Sequence, residues 1–394
     1  MKVINILTAV LSLLIVLASN TAAENEQWLQ YSWSTGAEQA ISTISSVGRS
    51  IEVSTTRPGN IELPEFKSKQ PLFTRWDTPM VKTGGLWIAL DNAHQYSEYD
   101  LLYIDSDGDG SLKDENGITP SEQDSYFNFF GPIKLVFEGE DGPVTYHLNL
   151  GFYNYDPNNK FMYMQTACWY EGTITAGGVK KKCTLIDNNV NGSFSDKGLT
   201  TSQCDRIIIG ENQARYSTSV GNLLQIDDQL YKLEIARDGA FIKLAKADDV
   251  KFGDVNVPKE ITVLTVCGEN GFFSVPIENG IAKLPVGKYL VNTWQIDRAD
   301  ASNNKWRMTG TGFTAKSVFE VPETGKVNLD IGEPIQSSLA VSQRESQYVF
   351  NLTMNGRSSE RVTLMFNNAQ AREPKLKFLS KDGKYNKAFS LKYG

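Results

Sequence analysis

The chain is poor in the residues that carry most metal, nucleophilic and acid–base chemistry. It has two histidines, His94 and His147, and four cysteines in 394 residues. A zinc centre built from several histidines is thereby excluded, and no His-Glu-x-x-His run occurs. Also missing are a Gly-x-Ser-x-Gly elbow, a phosphate loop and a Gly-x-Gly-x-x-Gly turn opening a helix. Lys and Arg number 39 against 46 acids, for a net charge of −7. They are scattered, so the concentrated basic face that nucleic-acid phosphates require is lacking, and no nucleic-acid partner is expected. Helical periodicity is weak after the first residues. The segment 36–47, "GAEQAISTISSV", fits either one short helix or an edge strand.

One long apolar run is present, at the start. Lys2 precedes an apolar stretch from Val3 to about Ala18, and Thr21 and Ala23 fit a cut before Glu24. Residues 1–23 therefore read as a secretory signal peptide. The alternative is an uncleaved anchor helix, but the run is shorter than the ~20 residues a spanning helix needs. No Cys lies near the cut, which argues against a lipid anchor, and no later stretch approaches membrane length. The expectation is an exported protein, periplasmic or extracellular, with no membrane span in the mature chain.

Alternation of apolar and polar residues dominates the remainder. In "VTYHLNL", Val144, Tyr146, Leu148 and Leu150 share one face. Asp238-Gly239, Gly177-Gly178 and Asp382-Gly383 each sit between alternating runs and supply the positive φ of a tight turn. With 32 Gly and many short runs, the expected class is mostly β: a multidomain chain of antiparallel sheets and sandwiches. The expected regions are 24–124, 125–250, a polar linker at 251–259 ("VKFGDVNVPKE" spans it) and a sandwich-like domain at 260–394.

Two acidic loops carry the most specific signal. "DSDGDGSLKDE" sets Asp105, Asp107 and Asp109 on alternate positions, followed by Gly110, Ser111 and Asp114. Eighty-two residues on, "DNNVNGSFSDK" gives Asp187, Asn189, Asn191, Gly192, Ser193 and Asp196 in the same register. Carboxylates this close repel unless a cation lies between them. Calcium takes six to eight oxygens, and a short loop supplies them from side chains at positions 1, 3 and 5 and the carbonyl at 7, with glycine at 6. An apolar residue at position 8, Leu112 or Phe194, is expected to anchor each loop. The bland alternative is a solvated Asx-rich turn.

These stretches resemble EF-hand-type calcium loops over about ten residues each. Both depart at position 12, where Asn116 and Gly198 replace the bidentate Glu and an acid stands at position 10 instead. In this they are similar to the shortened loops of dockerins and thrombospondin type 3 repeats. A missing ligand is expected from water or from a downstream acid such as Glu122 or Asp124. The resemblance implies Ca²⁺ held by Asp105, Asp107, Asp109, Ser111 and Asp114 and by Asp187, Asn189, Asn191, Ser193 and Asp196, between β-strands.

Other signals are weaker. Export permits disulfides among Cys168, Cys183, Cys204 and Cys267. Cys183 and Cys204 bracket the second loop and suggest a bridge, with Cys168 as competitor and buried thiols as the alternative. A Cys168–His147 pair is conceivable, with His147 on the polar face of its strand. Tyr153, Tyr155, Trp169 and Tyr170 fit either sugar stacking or cross-strand packing. "IAKLPVGKYLVNTWQI" (281–296) resembles carboxypeptidase-regulatory and transthyretin-like sandwiches, which implies a structural module with Tyr289 packed inward. The order of parts resembles that of uncharacterised exported bacterial β proteins. The resulting expectation is an exported calcium-binding structural or binding protein without catalysis, meeting a cell-envelope protein or polysaccharide. The alternative is a secreted hydrolase or binding protein acting on polysaccharide.

Overall fold

A computed structural model of the chain describes residues 26–34, 47–94, 98–139, 142–155, 160–210, 217–345 and 347–392. The expected signal peptide at 1–23 lies outside the described residues, as does the segment 36–47 apart from Val47. Among the described residues, regular structure is strand throughout, save one 3-10 turn at Ala315–Ser317. The mostly-β, antiparallel expectation is met. Among these residues no helix is long and apolar enough to cross a membrane.

The chain divides into two compact units: Met1–Lys197 with Thr201–Ala247, and Gly198–Thr200 with Asp248–Gly394. This differs from the expected separation at 124/125. The reason lies in three N-terminal strands, each of which joins a sheet built from later residues. Glu26–Trp28 pairs with Phe241–Lys246, Gln30–Trp33 with Cys168–Ala176, and Gly48–Glu52 with Phe161–Thr166. Residues 24–124 and 125–250 therefore share one core. Trp76, Leu86, Ile88 and Leu90 from the first region join Tyr146, Leu150, Ile207 and Ile242 from the second in a single cluster.

The period-2 pattern explains how that core is filled. In Gly142–Tyr153 the face carrying Tyr146, Leu148, Leu150 and Phe152 is buried. The glycine-rich turns fall where expected. Gly177 and Gly178 take φ of 58° and 81° between Cys168–Ala176 and Val179–Ile186, whose closing pair is Ala176↔Val179. Such φ values suit glycine, which has no Cβ to clash.

In the second unit the expected linker at 251–259 is instead largely strand. Phe252–Asn256 pairs with Ile281–Pro285 and, in parallel, with Lys326–Asn328. Its polar look comes from lying in a small sheet with only Gly253 and Val255 buried. The "LPVGKY" stretch carries the chain from this sheet into the larger one, where Gly287–Ala299 pairs with Val263–Gly268 and Lys305–Thr311. Tyr289 is fully buried and its hydroxyl donates to the Pro285 carbonyl at 3.0 Å.

One buried acid organises this unit. Glu360 accepts from Trp294 Nε1 at 2.6 Å, from the Gly332 N–H at 2.8 Å and from the Ser358 N–H at 2.8 Å. Removing it strands three donors, two of them buried. Glu360→Ala is expected to cost the unit about 3 kcal/mol. Hydrogen exchange should then speed up in Gly287–Ala299 and Lys305–Thr311, while Val179–Ile186 of the first unit keeps its protection.

Candidate metal centre

Each acidic loop begins where a buried strand ends. Leu101–Ile104 is the third strand of a sheet with Leu72–Asp77 and Gly85–Asp91, and Asp105 follows it with its N–H on the Trp87 carbonyl at 2.9 Å. Val179–Ile186 runs through the centre of a five-stranded sheet and delivers Asp187. The position-8 anchors are in place: Leu112 is buried with Phe73 and Ala89, and Phe194 meets Tyr170 edge-on at 5.2 Å.

The two loops share three backbone-to-side-chain bonds and differ at position 5, whose N–H reaches Asp107 Oδ1 at 3.2 Å in the first and Asp187 Oδ1 at 3.3 Å in the second. Gly110 and Gly192 donate their N–H to Oδ2 of Asp105 and Asp187, at 3.3 and 2.7 Å. The N–H groups of Ser111 and Ser193 reach Oδ1 of Asp109 and Asn191, at 2.7 and 2.9 Å. Those of Lys113 and Ser195 reach the hydroxyls of Ser111 and Ser193, at 3.2 and 3.3 Å. Left-handed backbone recurs at positions 4 and 6: Gly108 (74°) and Gly110 (86°), Val190 (55°) and Gly192 (90°). Val190 is the strained member, since a β-branched residue rarely takes positive φ. It is held by full burial and by Trp76 Nε1, which donates to its carbonyl at 2.7 Å.

In the first loop, carboxylate oxygens of Asp105, Asp107 and Asp109 all lie within 4.8 Å of one another. Asp105 is only 2% exposed, and its Oδ1 is buried with no hydrogen-bond partner. Burial raises its pKa, and the neighbouring charges of Asp109 and Asp107 add to the rise. A buried carboxylate with one oxygen lacking a donor, grouped with two further carboxylates, is an arrangement that could hold a cation. Asp114 stands apart from the triad: it is exposed and bonds the Ser111 hydroxyl, which lowers its pKa. Glu115 folds back instead and accepts from the Ser106 N–H at 2.5 Å and hydroxyl at 2.9 Å. The downstream acids do not complete the site. Glu122 is in a strand paired to Phe129, and Asp124 accepts from the Tyr126 N–H in its own turn.

The second loop is more enclosed. Asp187 is fully buried and takes Tyr146's hydroxyl on Oδ2 at 2.8 Å. Asp196 Oδ2 accepts from the side-chain amides of Asn189 (3.0 Å) and Asn191 (2.8 Å). Asn189 Oδ1 is left buried without a partner. Ser193 is buried, its hydroxyl 3.4 Å from that of Ser195.

A further acid, Asp205, lies outside the sequence pattern. It is fully buried and accepts from the Asn188 N–H at 3.1 Å and the Asp196 N–H at 2.7 Å. It thus caps position 2 of its loop as Glu115 caps position 2 of the first. No signal in the sequence marks it, since it stands eighteen residues past Asp187, in "SQCDRIIIG". Burial pushes Asp187 up to about 6. Burial also raises Asp205 well above the carboxylate range, helped by the charges of Asp187 and Asp196.

Other sequence candidates resolve differently. Cys183 is an unbridged buried thiol, so the bridge to Cys204 is not formed. The interior of a sheet already closed by Gly172 and Ile209 on either side of Cys183 gives it no need of a staple. Cys168 accepts from the His147 N–H at 3.5 Å, and burial pushes its thiol up to about 11, the reverse of an activated nucleophile. Trp169 and Tyr170 are buried, and Tyr153 stacks on its cross-strand partner Phe161 at 5.0 Å, so packing accounts for these three. His147 does not face water. It is buried, stacks on Trp33 at 4.4 Å, and its Nδ1 lies 2.6 Å from the Tyr31 hydroxyl.

No protein-family model matches the chain, and comparison with curated proteins and with solved structures gave no match.

The environment of His147 has a pH consequence. Burial, then the charge of Lys134, lowers its pKa. As pH falls, the unfolded chain takes up this proton before the folded one does. The stability it contributes is complete above the unperturbed value of about 6.5 and is lost as pH drops below it. His147→Gln should therefore gain melting temperature relative to wild type as pH falls from about 6.5 to 5. An unchanged slope contradicts this.

Proposed function

We propose that this chain is an exported calcium-binding protein with a structural or binding role at the cell envelope or outside the cell. Ca²⁺ held by the two loops ties down the strand ends from which they spring. The observation that carries this reading is buried Asp105, which has one oxygen without a partner and whose carboxylate lies within 4.8 Å of those of Asp107 and Asp109. It is supported by the second loop, which copies the first in its positive φ at positions 4 and 6 and in the N–H bonds of positions 6, 7 and 9, although its carboxylates are fewer.

The donors suit a hard cation. They are carboxylate, amide and hydroxyl oxygens, and Ca²⁺ accepts irregular sets of six to eight. Asp105, Asp107 and Asp109 would hold the ion of the first loop, with the carbonyl of Ser111. Asp187, Asn189, Asn191 and Asp196 would hold that of the second, after rotation of the two amides to present oxygen. Affinity rises with ligand charge, so the first loop is the tighter of the two. Glu115 and Asp205 act behind the ligands by fixing the backbone at position 2. The reading assigns no catalytic residue.

An ion that binds the folded chain alone adds RT ln(1 + [L]/Kd) to stability, about 2.7 kcal/mol at a hundredfold excess over Kd. The melting temperature should rise in calcium and fall in chelator, and Asp107→Ala should shrink the difference. Superimposable melting curves in the two buffers refute the proposal.

A further inference from the structure

The large sheet of the second unit ends in a hairpin that buries little of itself. Gln336–Arg344 and Gln347–Asn355 pair along their full length, from Gln336↔Asn355 to Arg344↔Gln347. The inner strand meets Arg361–Phe366 through the single pair Asn355↔Arg361. The hairpin therefore runs on past the sheet, with Gln336–Arg344 as its open edge among the described residues. Leu339, Val341, Tyr348, Phe350 and Leu352 share one face by register. Leu339 is 42% exposed, Val341 54% and Tyr348 62%, while Phe350 packs on Phe378 at 5.2 Å. Exposed edges are normally blunted by Lys, Pro or a bulge. This nine-residue edge has neither Lys nor Pro, pairs without a register shift, and includes one charged residue, Arg344.

We propose that this edge pairs with itself: Gln336–Arg344 adds antiparallel to the same strand of a second copy, across a two-fold axis at Ala340.

Hydrogen-bond parity supports the register. In a tight hairpin the closing pair, here Arg344↔Gln347, exchanges both bonds, and bonded and non-bonded pairs then alternate. Residues 336, 338, 340, 342 and 344 thus bond inward, and Ser337, Leu339, Val341 and Gln343 turn their N–H and C=O groups to the open edge. All nine residues overlap when Gln336 faces Arg344 of the copy. In that register Leu339 faces Val341 and Ser337 faces Gln343, so every outward group meets an outward group.

A two-fold contact requires a surface complementary to itself, and this strand meets the requirement. The apolar face continues across the axis as Leu352–Leu339–Val341–Phe350. Ala340, the smallest side chain of the strand, meets its own copy in a non-bonded pair, where Cα atoms approach to about 4.5 Å. The register sets Arg344 opposite neutral Gln336, so no like charges are paired. An unrelated strand would have no reason to satisfy all three conditions. Pairing across a two-fold also consumes the edge, which leaves a closed dimer rather than a filament.

The test uses the full chain in sedimentation equilibrium. The wild type is expected to be dimeric in the micromolar range. Val341→Pro removes an N–H that points to the copy and none that the hairpin uses, so it should give a monomer with an unchanged far-ultraviolet spectrum. Under mild oxidation Ala340→Cys should yield a disulfide-linked dimer. Ser338→Cys, which faces Ser342 of the copy, should not. A monomeric wild type, a dimeric Val341→Pro, or equal linkage of the two cysteine variants overturns the proposal. None of these outcomes depends on calcium.

Discussion

A carboxylate that the fold buries, yet leaves without a proton donor on one oxygen, is the constraint on which the first unit turns. Asp105 is carried inward because it follows a strand whose residues Leu102 and Ile104 belong to the core. Its backbone is held by Trp87 and its Oδ2 by the Gly110 N–H, so turning the carboxylate out to water gives up that side-chain bond. Desolvation then penalises its charge, and Asp107 and Asp109 add to the penalty. A divalent cation held among them would add an attraction to each carboxylate that outweighs their mutual repulsion and the desolvation cost. A proton relieves only one charge.

The second loop solves the same problem by a different balance. Its backbone repeats the left-handed turns at positions 4 and 6, but Asn replaces Asp at two positions, and amides of those residues satisfy Asp196 directly. Tyr146, from the neighbouring sheet, reaches Asp187 at the head of the loop. Phe194 and Val190 are part of the main core, so this loop is woven into the interior where the first is fastened to a small satellite cluster. One backbone template therefore serves two environments, an open acidic one and an enclosed amide-rich one.

Much of this was legible from the sequence because it rests on short-range rules. Period-2 alternation located Gly142–Tyr153, and Gly-Gly and Asp-Gly marked their turns. The Asp-x-Asp-x-Asp-Gly spacing named the triad and its glycine before any geometry was known. The losses all involve long-range contacts. Asp205 is set against its loop by the strand Arg206–Ile209 that follows it, and nothing local announces that. The three N-terminal strands that merge two expected regions pair with residues more than a hundred positions away. His147 looked solvent-facing because alternation identifies the two sides of a strand but not what covers each. Trp33, from one of those distant strands, stacks on its ring. Phe252–Asn256 was hidden by its polar composition, which suits a small sheet as well as a linker.

The most direct measurement is the stoichiometry of calcium bound at equilibrium, by dialysis against labelled ion. The account predicts two ions per chain, falling to one in Asp105→Asn and to one in Asp187→Asn while each variant keeps its β-sheet spectrum. No bound ion in the folded wild type, or the same count in all three proteins, contradicts it.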